Sequence, residues 1–296
     1  MGCTDSLPLV ACSLQLREQE RRQPPIEKNR MSQYQTIEIE FRADGVATLW
    51  LARASKNNAF NAQMIRELLD ALDAVAANPA VRFMLLRGRG KHFSAGADLA
   101  WMRDCAALDY NANLDDAREL AQLMASLAQL KVPTLAVVQG AAFGGALGLI
   151  SCCDMAIGAE DALFSLSEVR IGLLPAVISP YVTQAIGARA TRRYALTAER
   201  FDGLRARELG LLAECYPAVG LEAALDQWVA NLLQNGPQAM MATKALLQEV
   251  GLGAMSTPLR RYTEAAIARV RISPEGQEGL SAFLEKRQPD WCASHD

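Results

Sequence analysis

Histidine is scarce in this chain of 296 residues, which has only His92 and His295, and positive charge shows no excess, since the formal net charge is −3. A Ser-His-Asp hydrolase needs a histidine brought to its serine from a distant segment. His92 lies two residues from Ser94, and His295 is next to the last residue, so we do not expect that site. The net negative charge gives no sign of the excess of basic residues that binds nucleic acid or an anionic membrane, and we expect neither as a partner.

Long apolar runs, paired-cysteine motifs and a phosphate-loop motif are also missing. No run approaches the roughly 18 apolar residues that span a bilayer. The seven cysteines are an odd number and widely scattered, and the adjacent Cys152 and Cys153 lack CxxC spacing. This pattern favours a reducing compartment, the cytoplasm or an organelle matrix, of which we expect the cytoplasm, and gives no support for a metal site. Gly88-Arg-Gly90 does not continue into Gly-x-x-x-x-Gly-Lys-Ser/Thr, so nucleotide phosphate binding there is unsupported.

What the chain does have is the composition of a globular protein, with 51% hydrophobic and 21% charged residues, enough for a large core. Residues 1–30 are the exception, because they are charged, contain proline and lack periodicity. We predict that they form a disordered extension.

From Thr36 onward, short apolar runs alternate with amphipathic stretches. The runs "TIEIEF", "VATLWLA", "VRFMLLRG", "TLAVVQG" and "DMAIGA" read as strands, and "NAQMIRELLDALDAVAAN", "NLDDARELAQLMASLAQL" and "GGALGLISC" as helices. This order predicts an α/β core with right-handed crossovers over residues 31–225. Strand signals thin out after about residue 176, and residues 226–296, with a last helical stretch from Thr257, predict a helical C-terminal region.

Two loops share one pattern, "LLRGRGKHFSAGAD" and "LAVVQGAAFGG". In each, a strand ends, small residues follow and a helix begins. Small residues let a ligand approach the backbone, and N–H groups at a helix start have no partner within the helix. Two such donors on one oxygen would make an oxyanion hole for a thioester carbonyl that gains enolate character. The alternative is that the small residues only permit close helix packing.

A third segment, "FSLSEVRIGLLPA", places Glu168 in mostly apolar surroundings. A carboxylate that loses its hydration has a raised pKa, toward the range useful for proton transfer. The alternative is a glutamate on the surface of a loop.

Together these segments resemble the crotonase (enoyl-CoA hydratase/isomerase) family. "HFSAGADLAWM" resembles its first oxyanion-loop motif, "VQGAAFGGALGL" its second, "FSLSEVRIGLLP" its catalytic segment and "AFLEKRQPDW" its C-terminal signature. The likeness runs from about Thr36 to Trp291. In detail, "KNNAFN" and "GAAFGGALGLISCCDMAI" look most like the methylglutaconyl-CoA and isohexenylglutaconyl-CoA hydratases.

The resemblance implies a spiral of ββα turns and a helical C-terminal region that assembles a homotrimer or homohexamer. It implies that the N–H groups of Ala97 and Gly145 form the oxyanion hole and that Glu168 transfers protons. It requires no cofactor, since coenzyme A is part of the substrate. The residues implied to bind coenzyme A or the acyl group are Lys56, Ala59, Ala95, Asp98, Leu99 and, across a subunit boundary, Lys286.

One position departs from the hydratase pattern. Gly148 stands where hydratases of this family usually carry a second glutamate, so a two-carboxylate hydration does not transfer. We expect Gly148 to leave room for a substrate branched at the carbon that water attacks. The alternative is that this glycine only serves helix packing or marks a site that has lost hydration. Arg170, two residues from Glu168, is our candidate partner for a distal substrate carboxylate, with a solvent or subunit contact as the alternative.

The expected function is therefore hydration of a 3-branched 2-enoyl-CoA, such as 3-methylglutaconyl-CoA, in leucine or acyclic terpene catabolism. An enoyl-CoA isomerase or another CoA-thioester enzyme of the same fold is the alternative. A non-catalytic RNA-binding role is disfavoured by the acidic balance.

Overall fold

Strands and helices alternate through the first half of the computed structural model, which describes residues 34–251 and 254–292. The predicted extension over residues 1–30 lies outside those ranges. The strands are β1 (Ile37–Phe41), β2 (Val46–Leu51), β3 (Phe83–Gly88), β4 (Thr134–Val138), β5 (Ala141–Phe143), β6 (Met155–Ala159), β7 (Leu163–Ser165), β8 (Phe201–Asp202) and β9 (Glu214–Tyr216).

The described helices are α1 (Ala62–Ala77), α2 (Leu99–Ala106), α3 (Tyr110–Ala128), α4 (Gly145–Cys152), α5 (Ser179–Ile186), α6 (Ala188–Thr197), α7 (Gly203–Leu209), α8 (Leu221–Leu233), α9 (Pro237–Val250), α10 (Thr257–Arg271) and α11 (Pro274–Glu285). None of them is both long and apolar enough to cross a membrane. The predicted boundary at 225/226 falls inside α8.

Two sheets organise the core. The larger has the strand order β1-β2-β3-β4-β6-β9, in which β1 and β2 are antiparallel and every other pair is parallel. The smaller has the order β5-β7-β8, with β5 and β7 parallel. Parallel neighbours need crossover connections, which the helices supply, and this confirms the predicted α/β class.

Helix α1 shows that the helical spacing of apolar residues in the sequence corresponds to a buried helix face. The side chain of Asn61 caps its start by accepting the N–H of Met64. Its buried residues Met64, Ile65, Leu68, Ala71, Leu72 and Val75 recur at helical spacing. The helix stops before Asn78 and Pro79, as the sequence predicts.

The structure differs from expectation in its short strands and in one helix boundary. Strands β5, β7, β8 and β9 were not predicted, because two or three residues are too few to show an alternating pattern. The last helical stretch divides into α10 and α11, since Ser273 accepts the N–H of Gly276 and Pro274 takes the first helical position.

A buried ion pair holds α9 against the larger sheet. The Lys244 ammonium, with 6% of its side chain exposed, lies 2.8 Å from the Asp154 carboxylate and donates to the carbonyl of Val132 at 3.1 Å. The same carboxylate accepts the N–H of Thr134 at the start of β4. The C-terminal helices are therefore anchored to the strands that lead into the candidate site.

Candidate functional site

The two glycine-containing loops are hydrogen-bonded neighbours. The N–H of Ser94 donates to Ala141 O at 3.0 Å, and the N–H of Phe143 donates to Ser94 O at 3.0 Å. Gly96 packs against the second loop with a φ of 90°, and a Cβ added there would lie 2.9 Å from Phe143 O. The close approach of the loops thus requires glycine at position 96.

A third segment, residues 53–61, clamps the first loop from the other side. Asn58 donates from Nδ2 to Arg89 O at 2.9 Å and to His92 O at 2.8 Å. The N–H of Phe60 donates to Gly96 O, and Phe60 O accepts the N–H of Asp98. The loop backbone is therefore held rigidly on both flanks.

Like those of Leu99 and Ala146 at the starts of α2 and α4, the N–H groups of Ala97 and Gly145 are left without an acceptor in the described part of the chain. Their neighbours are bonded: Gly96 to Ser94 Oγ, Asp98 to Phe60 O, and Gly144 to Ser165 O. Within the described ranges, the N–H groups of Ala97 and Gly145 have no acceptor. Both residues were predicted as oxyanion donors, and each lies one residue after a glycine that packs at the junction of the two loops.

Glu168 lies at the same junction. It follows β7, which pairs with β5, and begins a short 3-10 turn over Glu168–Ile171. A Cβ added to Gly144 would lie 3.1 Å from Glu168 Oε1, so the carboxylate sits directly over the start of α4. Oε2 is buried without a hydrogen-bond partner. Burial raises the pKa of Glu168 above its ordinary value, which suits a carboxylate that exchanges protons.

The two residues that first suggested serine chemistry have structural contacts. His92 accepts the N–H of Ala141 at Nδ1, 2.9 Å away. The fully buried Ser94 donates from Oγ to Asn58 O at 2.8 Å. Both side chains join the loops to each other or to residues 53–61, which agrees with the expectation that neither acts as a nucleophile or base.

Asp98 and Arg53 brace the first loop. Arg53 donates from Nη1 to Ala59 O at 2.5 Å and pairs through Nη2 with Asp98 Oδ2 at 2.9 Å, with 17% and 14% of the two side chains exposed. Burial opposes ionisation of Asp98, but the N–H of Ala100 and the Arg53 guanidinium outweigh it and lower the pKa of the carboxyl. Sequence reasoning assigned Asp98 to ligand binding and missed Arg53; a charged residue just after the buried strand β2 was the available signal.

The other predicted ligand contacts occupy varied positions. Ala59 is buried, Ala95 is half-buried, and Lys56 and Leu99 are exposed beside the loops, with Leu99 77% exposed. Lys286 is exposed at the C-cap of α11 with φ 55°, and no contact within the described chain links it to the site.

The hydrogen bond made by Arg170 does not support a role for it beside Glu168. Its Nη2 donates to Ala198 O at 2.9 Å, at the end of α6, and this is the contact that the structure gives its guanidinium. Ser165 Oγ donates to the same carbonyl at 3.2 Å. The geometry therefore matches a structural contact better than the predicted pairing with a distal substrate carboxylate.

The expectation that Gly148 leaves open space for a substrate branch is wrong. Gly148 is buried, and a Cβ added to it would lie 2.8 Å from Ile178 Cβ and closer still to Ile178 Cγ2. Met124 Sδ would lie 3.1 Å away. The space beside this glycine is filled by protein, as the helix-packing alternative required.

Neither a metal-binding cluster nor a separate cleft among the described residues overlaps this site. The described residues contain no group of three or more His, Cys, Asp or Glu side chains placed to hold a metal. A cleft of about 840 Å³ lies elsewhere, with Ser151, Cys152, Tyr181, Gln248 and Tyr262 in its lining, and it contains none of the predicted site residues. The convergence of donors and carboxylate, rather than cavity size, identifies the candidate site.

One protein family and several solved structures are similar to this chain over most of its length. A family model described as enoyl-CoA hydratase/isomerase matches residues 42–294. The chain is 32% identical to the 2,3-dehydroadipyl-CoA hydratase of Escherichia coli over 86% of this chain and 97% of that protein. A crystal structure of an enoyl-CoA hydratase from Shewanella pealeana is 49% identical, with a TM-score of 0.84 over 88% of this chain and 97% of the other. AtuE of Pseudomonas aeruginosa is 37% identical, with a TM-score of 0.84 over 88% and 100%.

Proposed function

Because the chain belongs to the enoyl-CoA hydratase/isomerase, or crotonase, family, we propose that it hydrates a 3-branched 2-enoyl-CoA, such as 3-methylglutaconyl-CoA, to the 3-hydroxyacyl-CoA. Family membership carries an activity on CoA thioesters. The observation that carries the chemistry is the placement of two free N–H groups, on Ala97 and Gly145, near Glu168, whose Oε2 is buried without a hydrogen-bond partner.

In the proposed reaction, the thioester oxygen accepts both N–H groups, which stabilise the negative charge that develops as C3 is attacked. The ionised Glu168 takes one proton from a water molecule, and the remaining hydroxide forms the new C3–O bond. The double bond shifts toward the thioester to give an enolate. Glu168 then returns its proton to C2, so one water has been added and the carboxylate is regenerated.

The choice of a branched, dicarboxylic acyl group rests on two observations. The motifs "KNNAFN" and "GAAFGGALGLISCCDMAI" resemble those of glutaconyl-CoA hydratases. The 32% identical relative from Escherichia coli is named for 2,3-dehydroadipyl-CoA, whose acyl group also ends in a carboxylate.

An isomerase is the second candidate function, and it is supported by the residues that surround Gly148. With Ile178 against this glycine, no carboxylate occupies the helix position where hydratases of the family carry one. A single base is sufficient to move a proton from C2 to C4 of a 3-enoyl-CoA, which shifts the double bond to C2–C3. The same two donors would stabilise the dienolate.

We further propose that the protein acts in the cytoplasm as a homotrimer or homohexamer, with an acyl-CoA as its partner molecule. Large apolar side chains are exposed near the C-terminus: Ile272 at 78%, Phe283 at 81% and Leu284 at 78%. A subunit contact would bury them. Light scattering coupled to size exclusion measures the assembly, and a monomer at micromolar concentration would contradict it.

A substrate panel tests the reaction. Purified protein is incubated with crotonyl-, 3-methylcrotonyl-, 3-methylglutaconyl- and 3-enoyl-CoA, and the enoyl absorbance and products are followed. A Glu168→Gln preparation, purified in the same way, measures the background of host hydratases. Hydration of 3-methylglutaconyl-CoA above that background supports the proposal. Double-bond shift of 3-enoyl-CoA without hydration of any 3-branched substrate would replace it with the isomerase.

A further inference from the structure

Ile178 and Gly148 are packed so tightly that the side chain at each position limits the size of the side chain that fits at the other. Ile178 is 3% exposed and precedes α5, where its carbonyl accepts the N–H of Val182. Carbon atoms in contact are normally 3.5–4.0 Å apart. A Cβ on Gly148 would lie 2.8 Å from Ile178 Cβ, well inside that distance. Since the backbone of α5 holds Ile178 from behind, a side chain at 148 requires a smaller residue at 178.

This packed pair lies next to the proposed catalytic carboxylate. Gly144 is the N-cap of α4, with φ 54°, and Gly148 lies four residues further on, about 6 Å along the helix axis. Glu168 sits against Gly144, and Ile178 sits against Gly148. Helix side chains lean toward the N-terminus, so a side chain at 148 would reach toward Gly144 and Glu168. Ile178 occupies that route.

We propose that Ile178 is a specificity-determining residue, whose side chain replaces a second carboxylate beside Glu168 with an apolar wall. The inference rests on the proposed function. An apolar wall accommodates an alkyl branch at C3, whereas a charged carboxylate there would lose hydration against it. It also leaves Glu168 to carry out both proton steps.

The first arm of the test asks whether 148 and 178 are coupled. Gly148→Glu, Ile178→Ala and the double variant are compared by thermal unfolding. We expect Gly148→Glu to lower Tm by about 5 °C or more, and Ile178→Ala to recover at least half of that loss in the double variant. If Gly148→Glu does not fold, Gly148→Ala replaces it in the same cycle. Additive changes in Tm would overturn the proposal.

The second arm uses crotonyl-CoA, which has no branch, so its result is independent of whether the protein hydrates branched substrates. The double variant holds two carboxylates and should hydrate crotonyl-CoA at least about tenfold faster than Ile178→Ala alone. A folded double variant without that gain would contradict the assigned role of Ile178.

The third arm measures selectivity, with Val182→Ala as the matched control because Val182 is fully buried one turn along α5. Ile178→Ala should lower the ratio of kcat/KM for 3-methylcrotonyl-CoA to that for crotonyl-CoA about tenfold, and Val182→Ala should leave the ratio within about twofold. Equal ratios in the two variants would show that Ile178 is only a core residue. A wild type that hydrates no branched substrate refutes the proposed function, and the first two arms still decide the role of Ile178.

Discussion

Replacing Glu168 with glutamine removes the group on which the proposed proton transfers depend. General acid–base catalysis typically contributes 10²–10⁴-fold to the rate. Because position 148 is a glycine packed against Ile178, that helix position offers no second carboxylate to take over. We therefore expect a loss at the upper end of this range, about 10⁴-fold in kcat, which corresponds to an increase of about 5.4 kcal/mol in the activation free energy.

The assay is steady-state hydration of the best substrate of the panel, with acyl-CoA binding measured separately by calorimetry. Glutamine preserves the shape, and the N–H groups of Ala97 and Gly145 belong to the backbone, so Kd should change by less than about threefold. Glu119→Gln, on the exposed face of α3, is the control and should keep full activity. A Glu168→Gln variant within about tenfold of wild-type kcat would refute the assignment.

The same substitution should stabilise the folded protein at neutral pH. Burial raises the folded-state pKa of Glu168, so the ionised form is disfavoured in the folded protein relative to the unfolded chain. Above the folded pKa the wild type carries this penalty in full and glutamine does not. As pH falls through the folded pKa toward the unfolded value, Glu168 becomes protonated and the advantage disappears. A Tm gain for Glu168→Gln at pH 8 that persists unchanged at pH 4 would contradict this reasoning.

Three further outcomes follow from the site. The kcat/KM of hydration should fall as pH decreases through a pKa above the usual glutamate range, and a flat profile from pH 8 to 5 would exclude ionised Glu168 as the base. Arg53→Met should lower the free energy of unfolding by about 2 kcal/mol and kcat/KM by about tenfold or more, because Asp98 loses its ion-pair partner and the first loop loses a stabilising contact. Arg53→Lys should retain part of the stability and part of the activity. Arg170→Met should lower activity equally on dicarboxylic and monocarboxylic enoyl-CoA, since its guanidinium bonds Ala198 O; a selective loss on the dicarboxylic substrate would restore its pairing role.

The sequence by itself determined the features that repeat or persist over short distances. Helical spacing from Met64 to Val75, with Asn61 before it and Pro79 after it, was sufficient to predict α1 nearly to the residue. Small residues after a strand and before a helix predicted the two loops. Glu168 was detectable because a lone carboxylate in an apolar segment is unusual. Such signals need no partner from elsewhere in the chain.

Only the tertiary structure decided which groups are paired and which are free. That Ala97 and Gly145 keep open N–H groups depends on Ser94, Phe60 and Ser165 satisfying their neighbours, and these acceptors come from separate segments. The short strand β9 forms because β6 offers it an edge. Gly148 was read as empty space because sequence shows which side chain is absent and cannot show what packs in its place. Ile178 fills that space because the interior is close-packed, and the neighbour of a glycine is chosen by the path of the whole chain.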